Sequence, residues 1–575
     1  MTRTAVVESA APVSPGWDDP ITADVIMHRL HAIPNLIDRN ITKTAFSFLI
    51  SEYKDFAVGM VSADGRLITQ CRGGLPIFAA NALCAAVKDG LAIYGEDELK
   101  MGDVVISNHA ATMGQHLNNV VMYTPIRSGE GAGALLGFFA VVMHWMDVGG
   151  IVVGSCQSPF TTDVFQEGIQ FHTVKLLSEG RRVEDIFRII RCNTRFPDEA
   201  MGDLAAQISG CLEGRDMVLE IVHRYGSKAC QFAIERFWSA SEANTRELIR
   251  SIPDGIYRAS SFLDDDGIHR SQPVEINILI TVQADTVTVD FSGVADQLQG
   301  PLNAGFEGGA VAAARIAAKY LFCPDGPAND GAFRPLKVVC PPGKFLSAGP
   351  TAPIGGSGFT IPSVVDTILR AFADVLPDRV SAGHHGTYSV HVIDGLLGQG
   401  RWFQHIESAV GGWGAYLGRD GTGPFRSMAH GDTLEVPIEL QESAHPYRLE
   451  WFRLRQDSGG AGEYRGGLGI EKAYRILAPS NLTVSIERTK CAPWGLHGGK
   501  DAETGRIEVW RDDALLEVVT KGKVSLRAGD QVRLFTAGGG GYGDPLKRAH
   551  DAIRWDIDQG YVSKVVAQRD YGFDQ

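Results

Sequence analysis

The stretch "GQHLNNVVMYTPI", Gly114–Ile126, is followed after a short connection by "MHWMDVGG", Met143–Gly150. Each stretch places one histidine, His116 or His144, at the end of an apolar run that is typical of a β-strand. The way these two runs pair determines whether the histidines are separate core residues or halves of one site.

The two strands predict a hairpin. "VVMYTPI" and "ALLGFFAVVMHW" are joined by the loop "RSGEGAG", so a hairpin centred near Gly131 would set Asn118 opposite about Met143. This register predicts that both histidines lie at the same end of the ladder, within reach of each other.

Further polar groups flank neighbouring strands. The strand "VVIS" ends at Asn108 and His109, and Asp55 begins the strand "DFAVGMV". Two imidazoles with carboxylate or amide oxygens could hold a divalent metal. The alternative is that they are hydrogen-bonded core or surface residues, because no H-E-x-x-H or comparable motif is present. From the residues alone both interpretations stay open.

Composition limits the function classes. The chain has 575 residues, 44% of them hydrophobic and 21% charged, with a formal net charge of -14. This size predicts two to four structural units, and the acidic balance argues against a nucleic-acid or anionic-membrane surface. The nine cysteines stand singly, which is typical of reduced thiols in a cytoplasmic protein. We also expect no signal peptide and no membrane span.

The pattern of elements predicts an α+β fold of several units. A flexible lead-in, 1–17, precedes a helix capped by Asp19 that Pro34 should kink or interrupt. We expect an N-terminal α+β domain with the hairpin site at 18–255, a central α+β region at 256–380, and a β-rich, glycine-rich C-terminal domain at 381–575.

Glycine-rich motifs carry no phosphate-binding signature. No G-x-x-x-x-G-K-[ST] loop or G-x-S-x-G elbow occurs in the sequence. "DSGGAGEYRGGLG" and "GGGGYGDP" lack the strand and helix of a dinucleotide loop, which favours tight turns and close backbone approach. In the first of these motifs we predict a buried ion pair between Asp457 and Arg465.

The chain resembles the hydantoinase B/oxoprolinase family. The likeness runs through "DPITADVIMHRLHAI", "YKDFAVGMVSADGRLITQ", "HLNNVVMYTPI", "DVGGIVVGS" and "PANDGAFRPLKVVCPPGKFLS" to "LRQDSGGAGEYRGGLGIEK" and "GGGGYGDP". The family includes subunits of hydantoinases, 5-oxoprolinases and caprolactamase, and is related to the large subunits of acetone and acetophenone carboxylases. The resemblance implies a B-type subunit that carries zinc or manganese, while a separate A-type subunit with an actin-like fold binds ATP-Mg.

The resemblance also implies site residues. Asp55, His116 and His144 match the family's metal motifs, and Asp147 matches an aspartate that could orient a ligand imidazole. Asn119 stands where the family has an aspartate; its amide oxygen could still be a ligand, with one negative charge fewer. Two further departures are His109, a candidate proton carrier in place of an aspartate, and Trp145, in place of a second histidine.

The implied function is an ATP-dependent cyclic-amide hydrolase for a hydantoin, lactam or oxoproline-like substrate. We expect a heterotetramer of two A-type and two B-type subunits. An ATP-dependent carboxylase subunit using bicarbonate, and a scaffold that has lost its metal, remain alternatives. Metal analysis would separate the scaffold from the two enzymes.

Overall fold

The computed structural model describes residues 17–129 and 133–574. The predicted lead-in, apart from Trp17, and the hairpin centre at Gly131 lie outside the described residues. Within them the chain is α+β, as predicted, with its strands grouped into four sheets.

The helices occur in every third of the chain. They are α1 Pro20–Thr44, α2 Phe48–Ser51, α3 Pro76–Ala79, α4 Ala82–Tyr94, α5 Ala110–Met113, α6 Glu184–Cys192, α7 Pro197–Tyr225, α8 Ser227–Arg250, α9 Ala312–Phe322, α10 Asp330–Phe333, α11 Ser357–Ala371, α12 Ile438–Ala444, α13 His550–Asp558 and α14 Lys564–Tyr571.

The N-terminal sheet has seven strands in the order β2-β1-β5-β4-β3-β6-β7. Its strands are β1 Phe56–Ser62, β2 Leu67–Gln70, β3 Val104–Ser107, β4 Asn119–Arg127, β5 Leu135–His144, β6 Val174–Ser178 and β7 Arg181–Arg182. The central strands are covered by α4 and α7, so β4 is buried along its whole length. Burial on both faces explains why these strands have continuous apolar runs instead of alternating polarity.

A second sheet, in the order β11-β10-β9-β8, follows the long helices α7 and α8. Its strands are β8 Gly255–Leu263, β9 Val274–Gln283, β10 Thr286–Asp290 and β11 Leu336–Val339. One hydrophobic core extends from Ala23 to Ala429 and includes residues on both sides of 255.

The C-terminal half contains two sheets, with orders β13-β12-β16-β19 and β14-β15-β20-β17-β18. Their strands are β12 Val390–Leu396, β13 Trp402–Ser408, β14 Tyr447–Leu454, β15 Ile470–Ile476, β16 Ser480–Ser485, β17 Arg506–Arg511, β18 Ala514–Val519, β19 Lys521–Leu526 and β20 Gln531–Phe535. A core from Ile393 to Leu534 joins the two sheets. The predicted β-rich character of this half is therefore confirmed.

Helix α1 begins as predicted but does not break at Pro34. The Asp19 carboxylate accepts from the backbone N–H of Thr22 at 2.8 Å, and Pro20 is the first helical residue. The helix continues to Thr44 because its buried face, which includes Pro34 and Ile37, packs against α7 and α8. This packing outweighs the roughly 3 kcal/mol that an interior proline costs a helix.

The glycine-rich motifs pack backbone against backbone. A Cβ added at Gly466 would lie 1.7 Å from the carbonyl oxygen of Gly539, and one added at Gly539 would lie 1.9 Å from that of Trp413. Both motifs therefore serve close approach between chain segments, as expected from their composition.

The predicted ion pair between Asp457 and Arg465 is wrong, because Arg465 pairs with a different aspartate. Arg465 Nε lies 3.2 Å from Asp556 Oδ1 of α13, whereas Asp457 accepts from the backbone N–H of Ser563. Asp457 adopts a positive φ of 62°, and its carboxylate serves the start of the C-terminal helix α14. The distant helix α13, which the sequence motif does not contain, supplies the charge partner of Arg465.

One segment meets the length and apolarity of a membrane span. Pro76–Tyr94 has a mean hydropathy of 1.4 over its most apolar window, and 65% of that window is buried inside the protein. Helix α4 within this segment packs on β1, β4 and β5. The burial of this segment is that of a core helix.

Candidate metal site and the pocket beside it

The hairpin of β4 and β5 brings the predicted residues to one end of the sheet. Asn119 lies directly opposite His144, and Val120 lies opposite Met143. This register is shifted by two residues from the predicted one, and a bulge occurs at Arg127. Because side chains alternate with a period of two, such a shift leaves every residue on its predicted face.

Strand β1 adds Asp55 to the same row. Phe56 pairs with Met143, and the backbone N–H of His144 donates to the carbonyl oxygen of Asp55 at 3.0 Å. Residues opposite each other in adjacent strands lie side by side on one face. Asp55, His144 and Asn119 thus form a row across the ends of three neighbouring strands, with Asp55 Oδ2 3.7 Å from His144 Nδ1.

His116 joins this row from the turn before β4. The backbone N–H of Asn119 donates to the carbonyl oxygen of His116, which folds the chain back at this point. The rings of His116 and His144 are 4.9 Å apart, centroid to centroid. The two histidines quoted at the start of the sequence therefore lie in contact distance, as the register predicts.

Asp55, His116 and His144 line one small cavity with a volume of about 30 Å³. Residues from the C-terminal half close it: Tyr388 stacks on His430 at 4.2 Å, and the hydroxyl of Tyr53 lies 3.3 Å from His430 Nε2. The cavity is therefore built by segments from both halves of the chain.

Burial controls the charges in the cavity. Desolvation raises the pKa of Asp55 to about 7, and the Arg426 guanidinium opposes this rise only in part. Desolvation also lowers the pKa of His116 to about 4 and holds the pKa of His144 well below its ordinary value. Both imidazoles are consequently neutral at pH 7, which is the form that binds metals.

The donor set fits a divalent cation. Asp55 Oδ1, His116 Nδ1 and Asn119 Oδ1 are buried atoms without a hydrogen-bond partner. Buried polar atoms are rarely left unpaired in proteins, and an unpaired carboxylate in a closed cavity is especially unfavourable. Two neutral nitrogens and a carboxylate are ligands that zinc and manganese accept.

The Asn119 side chain is held through its amide nitrogen by Gln115. Its Nδ2 donates to Gln115 Oε1 at 3.0 Å, and Gln115 Nε2 in turn donates to the carbonyl oxygen of Ile77 at 2.8 Å. This chain of hydrogen bonds fixes the amide orientation, and it leaves Oδ1 as the atom without a partner.

The other two predicted residues lie outside this cavity. His109 stacks on His172 with ring centroids 3.9 Å apart, and its Nδ1 lies 2.9 Å from the Thr112 hydroxyl. Asp147 is buried in an ion pair with Arg195 at 2.6 Å and accepts from the Ser155 hydroxyl. The hydrogen bonds of Asp147 therefore fix the loop after His144 instead of orienting a ligand imidazole, and the structure does not bring His109 to the cavity.

Sequence reasoning missed Cys156. Its Sγ lies 4.0 Å from His144 Nε2, while His144 Nδ1 faces Asp55. Gln157 donates to the same sulfur at 2.9 Å and lines the cavity. These residues follow the "DVGG" motif closely in sequence, whereas His430 is remote and only the fold brings it near.

A larger pocket of about 440 Å³ lies next to the cavity, and the two share Leu49, Tyr53 and Ile406 as wall residues. Its aromatic lining residues are Phe46, Phe48, Tyr53, Phe196, Trp402 and Phe403. Five consecutive residues of the edge strand β13, 402–406, form one wall. A mostly apolar pocket with a few polar groups is the usual form of a small-molecule site.

Gln404 is the polar group of this wall with the clearest chemistry. Its side chain is buried, and neither its Nε2 nor its Oε1 has a hydrogen-bond partner. A carboxamide offers one donor and one acceptor side by side, which matches the N–H and C=O of a ring amide.

Comparison with known proteins assigns the class. The sequence model of the family "Hydantoinase B/oxoprolinase" matches residues 19–545. The chain therefore belongs to this family, and the resemblance found in the sequence is confirmed.

Particular relatives cover nearly the whole chain. An uncharacterised protein of Methanocaldococcus jannaschii is 32% identical over 560 residues, which is 96% of both chains. The B subunit of a putative D-/L-hydantoinase of Pseudomonas sp. (strain NS671) is 28% identical over 569 residues, 96% of this chain and 95% of its own.

Two solved structures share the fold. The ATP-dependent caprolactamase from Pseudomonas jessenii superposes with a TM-score of 0.90 at 25% identity, covering 97% of each chain. Acetone carboxylase superposes with a TM-score of 0.86 at 20% identity, covering 96% of this chain and 80% of the other. The likeness to acetone carboxylase shows a shared fold only.

Proposed function

We propose that this chain is the metal-binding B-type subunit of an ATP-dependent cyclic-amide hydrolase that acts with a separate ATP-binding A-type subunit. The observation that carries the proposal is the convergence of Asp55, His116 and His144 on one buried cavity beside a 440 Å³ pocket. The names of the relatives, a putative hydantoinase and an ATP-dependent caprolactamase, support the reaction class.

The metal would be zinc or manganese, held by Asp55, His116 and His144, with the amide oxygen of Asn119 beside them. When bound, such an ion polarises a carbonyl group or lowers the pKa of a water molecule. Asp55 supplies the negative charge that a divalent ion needs in this closed space. The row of strand ends fixes Asp55 and His144, and the turn before β4 fixes His116.

The pocket would bind the ring of the substrate. Its aromatic walls exclude water from an apolar ring. The Gln404 carboxamide, whose Nε2 lies against Gly154, would pair with the ring amide after turning toward the pocket. A ring amide that has lost its N–H would leave the Gln404 oxygen unpaired and should bind less well.

ATP would be bound by the partner. The sequence has no phosphate-binding loop, so a titration of the isolated chain with ATP-Mg should show no binding. We propose an assembly of two copies of each subunit, in which the partner activates the substrate with ATP.

The test uses the chain assembled with an A-type subunit. ATP-dependent opening of caprolactam, hydantoin or 5-oxoproline is expected, and His116→Ala and His144→Ala should each abolish turnover and release most of the bound metal. His31→Gln, a partly buried histidine elsewhere, should change neither. ATP-dependent fixation of bicarbonate into acetone, without amide hydrolysis, would instead assign the chain to the carboxylases.

A further inference from the structure

A second polar cluster lies inside the C-terminal half, between its two sheets. His391 and His405, with Glu407, come from β12 and β13, and they face Lys472 and Tyr474 of β15. The space between two packed sheets is normally filled with apolar side chains. The burial of these polar side chains therefore needs a physical explanation.

The strand register brings three metal-binding side chains together. His391 lies directly opposite Glu407 across the β12–β13 ladder, and His405 stands two residues before Glu407, on the same face. One ligand atom from each of the three residues lies within 4.8 Å of the others. Two histidines and one carboxylate on one face are a recurrent ligand set for divalent first-row transition metals.

Each of the three side chains has an atom without a partner. His391 Nδ1, His405 Nε2 and Glu407 Oε1 are all buried and lack a hydrogen bond of good geometry, although His405 Nε2 lies 3.4 Å from Glu407 Oε2. The Tyr474 hydroxyl is also close, 2.9 Å from His391 Nε2 and 3.2 Å from Glu407 Oε2. A closed network of hydrogen bonds would leave few such atoms, and a bound cation would give them partners.

We propose that His391, His405 and Glu407 form a second divalent-metal site, separate from the cavity of Asp55, His116 and His144. The site takes a first-row transition ion that accepts nitrogen ligands. His405 also lines the 440 Å³ pocket, which gives the ion an access route and places it at the wall of that pocket.

Lys472 opposes binding at this site. Its ammonium nitrogen lies 2.5 Å from Glu407 Oε2 and 3.8 Å from Glu435 Oε2. An incoming cation must share Glu407 with this ammonium, and the like charges repel each other. Glu435 can take over the ammonium, so Lys472 weakens the site without closing it.

The experiment counts metal ions on the isolated full-length chain. The protein is stripped with a chelator, titrated with Co²⁺ alone, and desalted before elemental analysis and absorption spectroscopy. Wild type should bind two ions per chain, and His405→Gln and Glu407→Gln should each lose one of them. His116→Ala should lose the other ion, and His31→Gln should keep both.

A variant expected to bind metal more tightly controls for the possibility that the other variants lose metal by misfolding. Lys472→Met removes the competing charge, so it should bind the second ion at least about tenfold more tightly, as the relief of close like-charge repulsion allows. Circular dichroism melting of each variant reports whether it is folded.

The outcomes separate the two sites. If His405→Gln and Lys472→Met leave cobalt binding unchanged, the cluster is an ion-pair network and the proposal is overturned. If wild type binds one ion that His405→Gln loses and His116→Ala keeps, the second site holds and the metal in the proposed function falls. If neither wild type nor Lys472→Met binds cobalt, the second site and the metal in the proposed function are both overturned.

Discussion

Asn119→Asp tests whether the row of strand ends is a metal site. Asn119 lies opposite His144, and its Oδ1 has no partner, while its Nδ2 donates to Gln115 Oε1 at 3.0 Å. In the metal-free protein the new carboxylate loses this hydrogen bond and faces an oxygen that cannot rotate away, since Gln115 Nε2 is bound to Ile77. An unsatisfied buried group of this kind costs about 1–3 kcal/mol of folding stability.

A bound divalent metal has the opposite effect on the stability of the Asn119→Asp variant. A second carboxylate beside the one on Asp55 adds charge where the cation binds, and we expect the affinity for Mn²⁺ or Zn²⁺ to rise at least about tenfold. At equal metal concentration well above both dissociation constants, this adds about 1.4 kcal/mol to the stabilisation by metal. The variant should thus melt below wild type in chelator and gain more than wild type on metal addition.

The neighbouring residue supplies a matched control. Asn118 is equally buried, but its amide faces away from the row and binds Trp145 and Cys156. Asn118→Asp should lower the melting temperature in chelator and gain nothing extra from metal. Chelator-competition titrations of both variants measure the affinities, and if Asn119→Asp binds metal no more tightly than Asn118→Asp, the reasoning about the row is refuted.

Three further perturbations follow from the structure. Arg548 forms ion pairs with both Asp420 and Asp556, whereas Arg465 pairs with Asp556 alone, so Arg548→Ala should cost roughly 3–5 kcal/mol and Arg465→Ala about 1.5–3 kcal/mol. Denaturant melting that reverses this order would contradict the assignment. Gly539→Ala forces a backbone clash and should prevent normal folding, while Gly73→Ala, which meets no atom within 4 Å, should melt like wild type. In metal-free protein the pKa of Asp55 lies near 7 instead of 3.8, so the Asp55 contribution to stability falls as pH rises between these values and stays flat above them, while the depressed pKa values of His116 and His144 act in the opposite direction. The stability of wild type relative to Asp55→Asn should therefore fall over this range, and a difference that does not change with pH would contradict the reasoning.

The sequence predicted the local parts of the site better than the distant ones. The predicted hairpin register of β4 and β5 showed which residues share a face, and its two-residue error did not matter because faces repeat every two residues. The partner of Arg465 was predicted within its own motif, but it lies in α13, which only tertiary packing brings close. Pro34 shows the same limit, since packing of the helix face overrides a local propensity.

The residues that close the cavity show why the remainder could not be predicted. His430 and Tyr388 come from loops of the C-terminal half that have no periodic pattern, and they meet Tyr53 and Asp55 only after the two halves have docked. Their contribution depends on a contact between segments far apart in sequence, which neither spacing nor propensity encodes.

This arrangement places the proposed ligands of the first site and the residues that cover them in different halves of the chain. His144 ends a central strand of the seven-stranded sheet and is fixed by the N-terminal core, whereas Tyr388 and His430 cover it from the C-terminal half. Tyr388 and His430 are not among the proposed ligands, so a metal ion held by Asp55, His116 and His144 would stabilise the N-terminal sheet directly, and the C-terminal half would only enclose it. The proposed second site differs in this respect, because His391, His405 and Glu407 lie within the C-terminal half alone. Metal at the first site should therefore protect the N-terminal sheet, and metal at the second should protect the C-terminal sheets.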